Sequence, residues 1–295
     1  MENMLTIENE FVKISVKKTG AELCSFVDKS TNQEFMWQGN SEIWGSFAPV
    51  LFPIIGCLKD NEFYVDGISY TVPKHGFIRN NANLQAHILN ENTIEFRYKF
   101  DENTLKSYPY QFEFVLHYIL IEKTIQVKHT IINHDTTKEM YFSLGGHPGF
   151  QCPFFEGEIY SDYYIEFEQE ETDVTLQVTK EGLIANENIP CLNNTNRLQL
   201  HPTLFEKDAL IFKNLKSRKA LLKSDNHSFG VQVEYNDFNY LGIWAKPNAP
   251  FVCIEPWLGI SDNVNTTKDF TQKEGIQKLE AGKTTMLSYS ISILS

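Results

Sequence analysis

Apolar and polar residues alternate with period two from the first stretch of the chain, where Val12, Ile14 and Val16 share one side and Lys13, Ser15 and Lys17 the other. Such alternation marks a half-buried strand. It recurs at Ile94, Phe96, Tyr98 and Phe100 against Glu95, Arg97 and Lys99, and at Val231, Val233 and Tyr235 against Gln232 and Glu234. Near the end, Leu287, Tyr289, Ile291 and Ile293 alternate with Ser288, Ser290 and Ser292. The run from Phe112 to Ile121 is apolar on both sides except at Glu113 and His117, the pattern of a central strand covered on both faces, and the alternating run from Ile125 to Ile132 follows it. Asp66-Gly67 between β-formers is a two-residue hairpin signal, and Tyr240–Ala245 and Phe251–Trp257 read as strands joined by a Pro-rich turn. Helical periodicity is confined to two short stretches, Asn103–Tyr108 and Leu204–Phe212. The pattern predicts a mostly β chain, and in the absence of a repeat, a low-complexity tract or a linker the simplest arrangement is one domain of two packed antiparallel sheets.

Composition narrows the function classes. A net charge of −12 and a pI near 5.2 argue against nucleic acid or an anionic membrane as partner, because both need clustered Lys and Arg. A neutral small molecule suits this surface better. The segment Met1–Leu5 has no basic stretch leading into an apolar run, and no eighteen-residue apolar stretch occurs, so a cytoplasmic location is expected. The five cysteines are scattered and form no CxxC pair, which suggests neither a disulfide framework nor a thiolate zinc site. The 22 Phe, 13 Tyr and 4 Trp serve β packing and sugar stacking equally well.

Candidate chemistry concentrates at three places. His147 lies in Ser143-Leu144-Gly145-Gly146-His147-Pro148-Gly149-Phe150, where a strand-like run breaks into glycines that permit positive φ or close approach. His75 lies in Lys74-His75-Gly76-Phe77-Ile78-Arg79. Glu255 ends an apolar strand in Cys253-Ile254-Glu255-Pro256-Trp257, beside an indole whose desolvation would raise the carboxyl pKa into the range of a general base. The bland alternatives are turn-capping histidines and a rim glutamate paired with lysine. His129 points with Ile125, Val127 and Ile131 and reads as a core histidine. No HxH or HExxH spacing supports a metal at His75, His147 and Glu255, and no phosphate loop, GxSxG or GxGxxG motif is present.

Taken together, Gly20-Ala21-Glu22-Leu23, Trp37-Gln38-Gly39, Pro49–Gly56, Lys74–Arg79, Ser143–Phe150, Lys207-Asp208-Ala209-Leu210 and Cys253–Trp257 resemble, in order and spacing, the aldose 1-epimerase (galactose mutarotase-like) family and its LacX-like branch. The resemblance implies a large antiparallel β-supersandwich over residues 1–295, with a shallow carbohydrate cleft on one sheet. It implies Glu255 as general base, His147 as general acid, His75 as a second histidine near the ring oxygen and Asp208 as a hydroxyl-binding carboxylate. Arg79 is a further sugar contact on this reading, and Trp244 or Trp257 a stacking surface. The implied reaction, interconversion of the α and β anomers of a free hexose such as galactose or glucose, needs one base and one acid on opposite sides of the hemiacetal and neither metal nor cofactor. One departure is Cys57, where family members commonly carry an arginine; Arg79 or Lys59 would have to supply that contact. Three other readings stay open: a non-catalytic sugar-binding protein on the same fold, a hexose 6-phosphate epimerase, and a lyase or hydrolase with a second carboxylate.

Overall fold

A computed structural model describes residues 4–294, so most of the segment Met1–Leu5 lies outside the described residues. Its backbone is organised by two antiparallel sheets. The larger has nine strands in the order Ile184–Gln199, Tyr163–Val178, Lys219–Ser224, Gly230–Glu234, Thr284–Leu294, Thr124–Asn133, Phe112–Ile121, Thr93–Lys99 and Gln85–Asn90. The smaller has six strands, Leu210–Phe212, Tyr240–Trp244, Phe251–Leu258, Leu144–Gly146 and Val50–Leu51 in order, with Gly149–Gln151 also paired to Phe251–Leu258. A four-stranded sheet from Met4 to Glu34 and two two-stranded ribbons complete the set, so the two-sheet expectation is right in its main layers and incomplete at the margins.

Strand formation follows the sequence pattern where one face is buried. Val12–Lys17 alternates buried and accessible residues, and Thr124–Asn133 does so over its whole length. Phe112–Ile121 lies between two neighbours in the large sheet and buries its first five residues on both faces. Its polar residues are paired within the sheet: Glu113 bonds Arg97 and His134, and His117 Nε2 lies 3.0 Å from Glu95. Asp66 and Gly67 both take positive φ, 53° and 78°, and close the hairpin Glu62–Val65 with Ile68–Thr71. The helix expected at Asn103–Tyr108 is Glu102–Ser107, capped by the Asp101 carboxylate, which accepts from the amides of Asn103 and Thr104.

Leu204–Phe212 is not helical. Turns carry residues 202–207, with Leu204 N–H donating to His201 O and Asp208 N–H to Phe205 O. Asp208 then takes φ 92°, which no right-handed helix accommodates, and Leu210–Phe212 joins the six-stranded sheet against Leu241–Ile243.

The inner faces of the two large sheets share one apolar core in which Phe52, next to Val50–Leu51, packs against Phe112 and Phe114 of the nine-stranded sheet. His129 is buried there among Phe114, Phe238 and Tyr289, and burial takes its pKa down to about 3. A second, smaller cluster forms on the opposite face of the six-stranded sheet. There Leu176 and Ile184 of the long hairpin meet Leu51, Ile211 and Trp257. The far end of that hairpin is thereby folded over the outer face of the small sheet, and the space it encloses becomes a cleft.

Candidate active site

The cleft has a volume of about 320 Å³, within the range of small-molecule sites, and its floor is strand Phe251–Leu258. Side chains alternate along a strand, so Cys253, Glu255 and Trp257 project to the outer face while Val252 and Ile254 enter the core. The neighbouring strand is interrupted. Leu144 and Gly145 pair with Leu258 and Trp257, and Gly149–Gln151 pair with Cys253, Val252 and Phe251. The register is the same on both sides of the break, which sets His147 opposite Glu255. Pro148 cannot donate a ladder hydrogen bond, but its carbonyl accepts from Ile254 N–H at 3.2 Å, and His147 N–H turns away to Pro49 O at 3.1 Å.

The glycines of this segment serve close approach, and none of Gly145, Gly146 and Gly149 takes positive φ. A Cβ on Gly145 would lie 2.8 Å from the Trp257 ring, and one on Gly149 2.8 Å from the Trp44 ring. The left-handed backbone occurs instead at His75 and Gly76, with φ of 65° and 79°. There the turn is held by Gly76 N–H to Pro73 O and Phe77 N–H to Phe52 O.

His147 Nε2 lies 3.2 Å from Glu255 Oε2. The acid and base expected on opposite sides of a hemiacetal are side by side, an arrangement that suits two oxygens bonded to the same anomeric carbon. Glu255 is 1% exposed and His147 9%. Burial drives the Glu255 carboxyl well above its usual 4.5; Asp208 adds to the rise, and Lys74, Trp257 and Arg79 oppose it. Burial, helped by Arg79 and Lys74, takes His147 down to about 3. Both shifts express the same desolvation cost of a charge on either group of this pair. Glu255 Oε2, His147 Nδ1 and the Trp257 indole Nε1 are buried without a well-formed hydrogen bond inside the chain, and they stay available to a ligand.

His75 meets His147 edge to face, with ring centroids 5.7 Å apart. Gly56 N–H donates to its Nδ1 at 3.1 Å, which fixes the neutral ring as the Nε2–H tautomer and leaves that N–H as its donor. Burial first, and then His147, Lys74 and Arg79, hold its pKa well below 6.5.

Asp208, Arg79, Trp244 and Trp257 also line the cleft, so the fold gathers all the residues singled out from the sequence. Trp257 is clamped in the floor, with Gly145 on one side and Gly242 on the other. Trp244 is more open and stands in T-shaped contact with His147 and Trp44. Asp208 is exposed, with its Oδ1 accepting from Ala209 N–H at 2.7 Å.

Cys57 is not a lining residue. Its thiol packs under Gly182 of the long hairpin, where an added Cβ would come within 2.8 Å of the sulfur, and burial raises its pKa. Of the two substitutes for the missing arginine, Lys59 is tied to Val264 O at 2.6 Å, whereas Arg79 reaches the cleft. Sequence reasoning missed Trp44 and Lys74. The Trp44 ring packs on His147 with centroids 5.1 Å apart and stacks on Phe251 at 5.2 Å. The only signal for it was a lone tryptophan in a polar loop.

A model of the family described as aldose 1-epimerase matches residues 3–273. The chain belongs to the aldose 1-epimerase family. It is 34% identical over 300 residues to the chromosomal LacX protein of Lactococcus lactis subsp. lactis, with 99% of each chain covered. Among solved structures it is similar to a galactose mutarotase related enzyme from Lactobacillus acidophilus, with 35% identity, a TM-score of 0.91, and 99% of this chain and 97% of that one covered. A galactose mutarotase-like protein from Lactobacillus casei gives 29% identity and the same TM-score of 0.91, with 98% and 99% covered. The supersandwich implied by the sequence motifs is therefore the fold of this epimerase family member.

Proposed function

We propose that this aldose 1-epimerase family member is a mutarotase for a hexose such as galactose or glucose, with Glu255 as general base and His147 as general acid. The observation that carries the proposal is the buried His147–Glu255 pair, 3.2 Å apart in one strand register at the floor of a sugar-sized cleft. In ring opening, Glu255 takes the proton of the anomeric hydroxyl while His147 gives one to the ring oxygen, and the C1–O5 bond breaks to leave the free aldehyde. Rotation about C1–C2 exposes the other carbonyl face. The same two groups then return both protons in the opposite sense.

The protons balance within the pair. Opening starts from a carboxylate beside an imidazolium and ends with a carboxylic acid beside a neutral imidazole, the form that burial favours. A turnover needs no proton from bulk water. The Nε2–H of His75 suits a hydrogen bond to the ring oxygen or a neighbouring hydroxyl, Asp208 accepts from hydroxyls, and Arg79 donates in place of the arginine absent at position 57. Trp244 and Trp44 provide the aromatic wall.

Polarimetry on freshly dissolved α-galactose and α-glucose tests this reading. The expected result is acceleration above the buffer rate that falls by about 10²–10⁴-fold in Glu255→Gln and in His147→Ala, the usual contribution of a general acid or base. Saturable sugar binding with no acceleration would instead make the chain a binding protein on this fold.

A further inference from the structure

Among the described residues, one group of metal-ligating side chains converges: His147, Cys253 and Glu255 each bring a donor atom within 4.8 Å of the other two. Cys253 and Glu255 stand two apart on the same strand face, and Cys253 pairs in register with Gly149, next to Pro148 and His147. The sheet therefore fixes all three donors. A nitrogen, a thiolate sulfur and a carboxylate oxygen make up the donor set that zinc and its heavier congener cadmium accept. In a tetrahedral site with bonds of about 2.0–2.3 Å, donors sit roughly 3–4 Å apart, and His147 Nε2 and Glu255 Oε2 already meet that spacing at 3.2 Å.

One further fact points to a ligand. Glu255 Oε2 is buried and satisfied by no well-formed hydrogen bond, with the His147 Nε2 donor 3.2 Å away. Cys253 is wholly buried on the same strand face. A divalent cation would be neutralised by one thiolate and one carboxylate, with the Cys253 proton and the proton that burial keeps on Glu255 both released to water, and its fourth position would face the cleft. Lys74 and Arg79 oppose a cation here, and burial and Glu255 hold the Cys253 thiol pKa well above 9.0, so binding depends on the cation displacing that thiol proton.

We propose that His147, Cys253 and Glu255 form a binding site for a thiophilic divalent cation, zinc or cadmium, that occupies the acid/base pair and excludes the sugar. Binding stands on the donor geometry alone, and its inhibitory effect rests on the proposed mutarotase reading. The cation is an inhibitor on this account and has no part in turnover.

The test is calorimetric titration of the full chain, free of any added metal-binding tag, with zinc chloride and cadmium chloride, alongside the near-ultraviolet cadmium–thiolate absorption. One cation per chain with a thiolate charge-transfer band is expected. Cys253→Ser and Cys253→Ala should lose the band and bind at least tenfold more weakly while keeping the wild-type melting profile, alanine preserving a small apolar side chain should serine disturb packing. Cys57→Ser, which removes the other thiol near the cleft, should bind as wild type does. At ten times its Kd, zinc should slow mutarotation by about tenfold, and galactose should weaken its apparent affinity. Unchanged binding in both Cys253 variants, or loss of binding in Cys57→Ser, overturns the site. Mutarotation that ignores a cation bound through Cys253 overturns the exclusion, whereas Cys253-dependent binding to a chain that does not mutarotate leaves the site standing and removes the proposed function.

Discussion

At the scale of single residues, the proposed acid/base pair His147–Glu255 is positioned by what its neighbours lack. Gly149 has no Cβ, and the space is taken by Trp44, whose ring lies over the His147 imidazole. Gly149→Ala must push that ring aside, because Phe47 O, 3.2 Å from the added carbon, closes the other direction. The expected cost is about 1–3 kcal/mol of stability for overpacking and roughly a hundredfold in mutarotation rate if the imidazole shifts by about an ångström. Denaturant melts and polarimetry on the same sample read both, and an unchanged rate in Gly149→Ala would show that Trp44 does not position His147. Site legibility divides along these lines. His147, His75 and Glu255 stand among glycines, prolines and apolar runs that make a titratable residue conspicuous. Trp44 becomes relevant only through a ring contact with a residue more than a hundred positions away, and nothing in its own neighbourhood marks it. Cys57 was conspicuous only as a departure from the family motif, and its burial under Gly182 depends on a hairpin tip that the residues around it do not foretell.

At the scale of elements, alternation exposed the strands that bury one face, because burial of one face is a local property. It failed for Tyr163–Val178 and Ile184–Gln199. Glu166, Glu168 and Glu170 keep the alternation in the first, but charged Glu171 and Asp173 occupy its buried side, and the pair carries register shifts between Glu166 and Val178 that break any period of two. It also misread Leu204–Phe212, where Ile211 and Phe212 are buried by sheet pairing across to Leu241 and Gly242. Contacts between elements carry testable consequences. The Asp28 carboxylate, at the end of strand Leu23–Asp28, accepts from Ser30 N–H at 2.8 Å and from Lys123 Nζ at 3.0 Å, and Lys123 sits in the turn between two strands of the large sheet. Burial raises the Asp28 pKa, but the hydrogen bonds of Ser30 and Lys123 and the lysine charge outweigh it and leave the group below its ordinary 3.8. For a carboxyl depressed in the folded state, the stabilisation is full above the unfolded pKa and is lost as pH falls through the folded one. Asp28→Asn should therefore lose stability at neutral pH and show a shallower decline between about pH 5 and pH 2 than the parent. Parallel slopes in urea melts across that range would show that Asp28 does not carry the link.

At the scale of the whole molecule, the core shared by the two large sheets runs through strands from both ends of the chain, with Val12 and Ile14 in the same cluster as Ile291 and Ile293. No helix of the described residues is long and apolar enough to cross a membrane. We propose that the chain is one domain, and the prediction is one cooperative unfolding transition in which tryptophan fluorescence and far-ultraviolet circular dichroism coincide. Two separated transitions would divide the chain. The same architecture explains why a cleft forms at all: a hairpin belonging to one sheet is long enough to cover the outer face of the other, and it does so over the strand that carries Glu255.

The central claim is that a buried acid/base pair opens and closes a hexose ring. Magnetisation-transfer NMR at equilibrium, with the α-anomer resonance of galactose or glucose saturated and the β-anomer followed, measures that exchange without a coupled assay. Transfer should rise in proportion to the concentration of the wild-type chain and return to near the buffer level in Glu255→Gln and His147→Ala. Transfer that is equally fast with either variant, or never exceeds buffer with the wild type, would contradict the account.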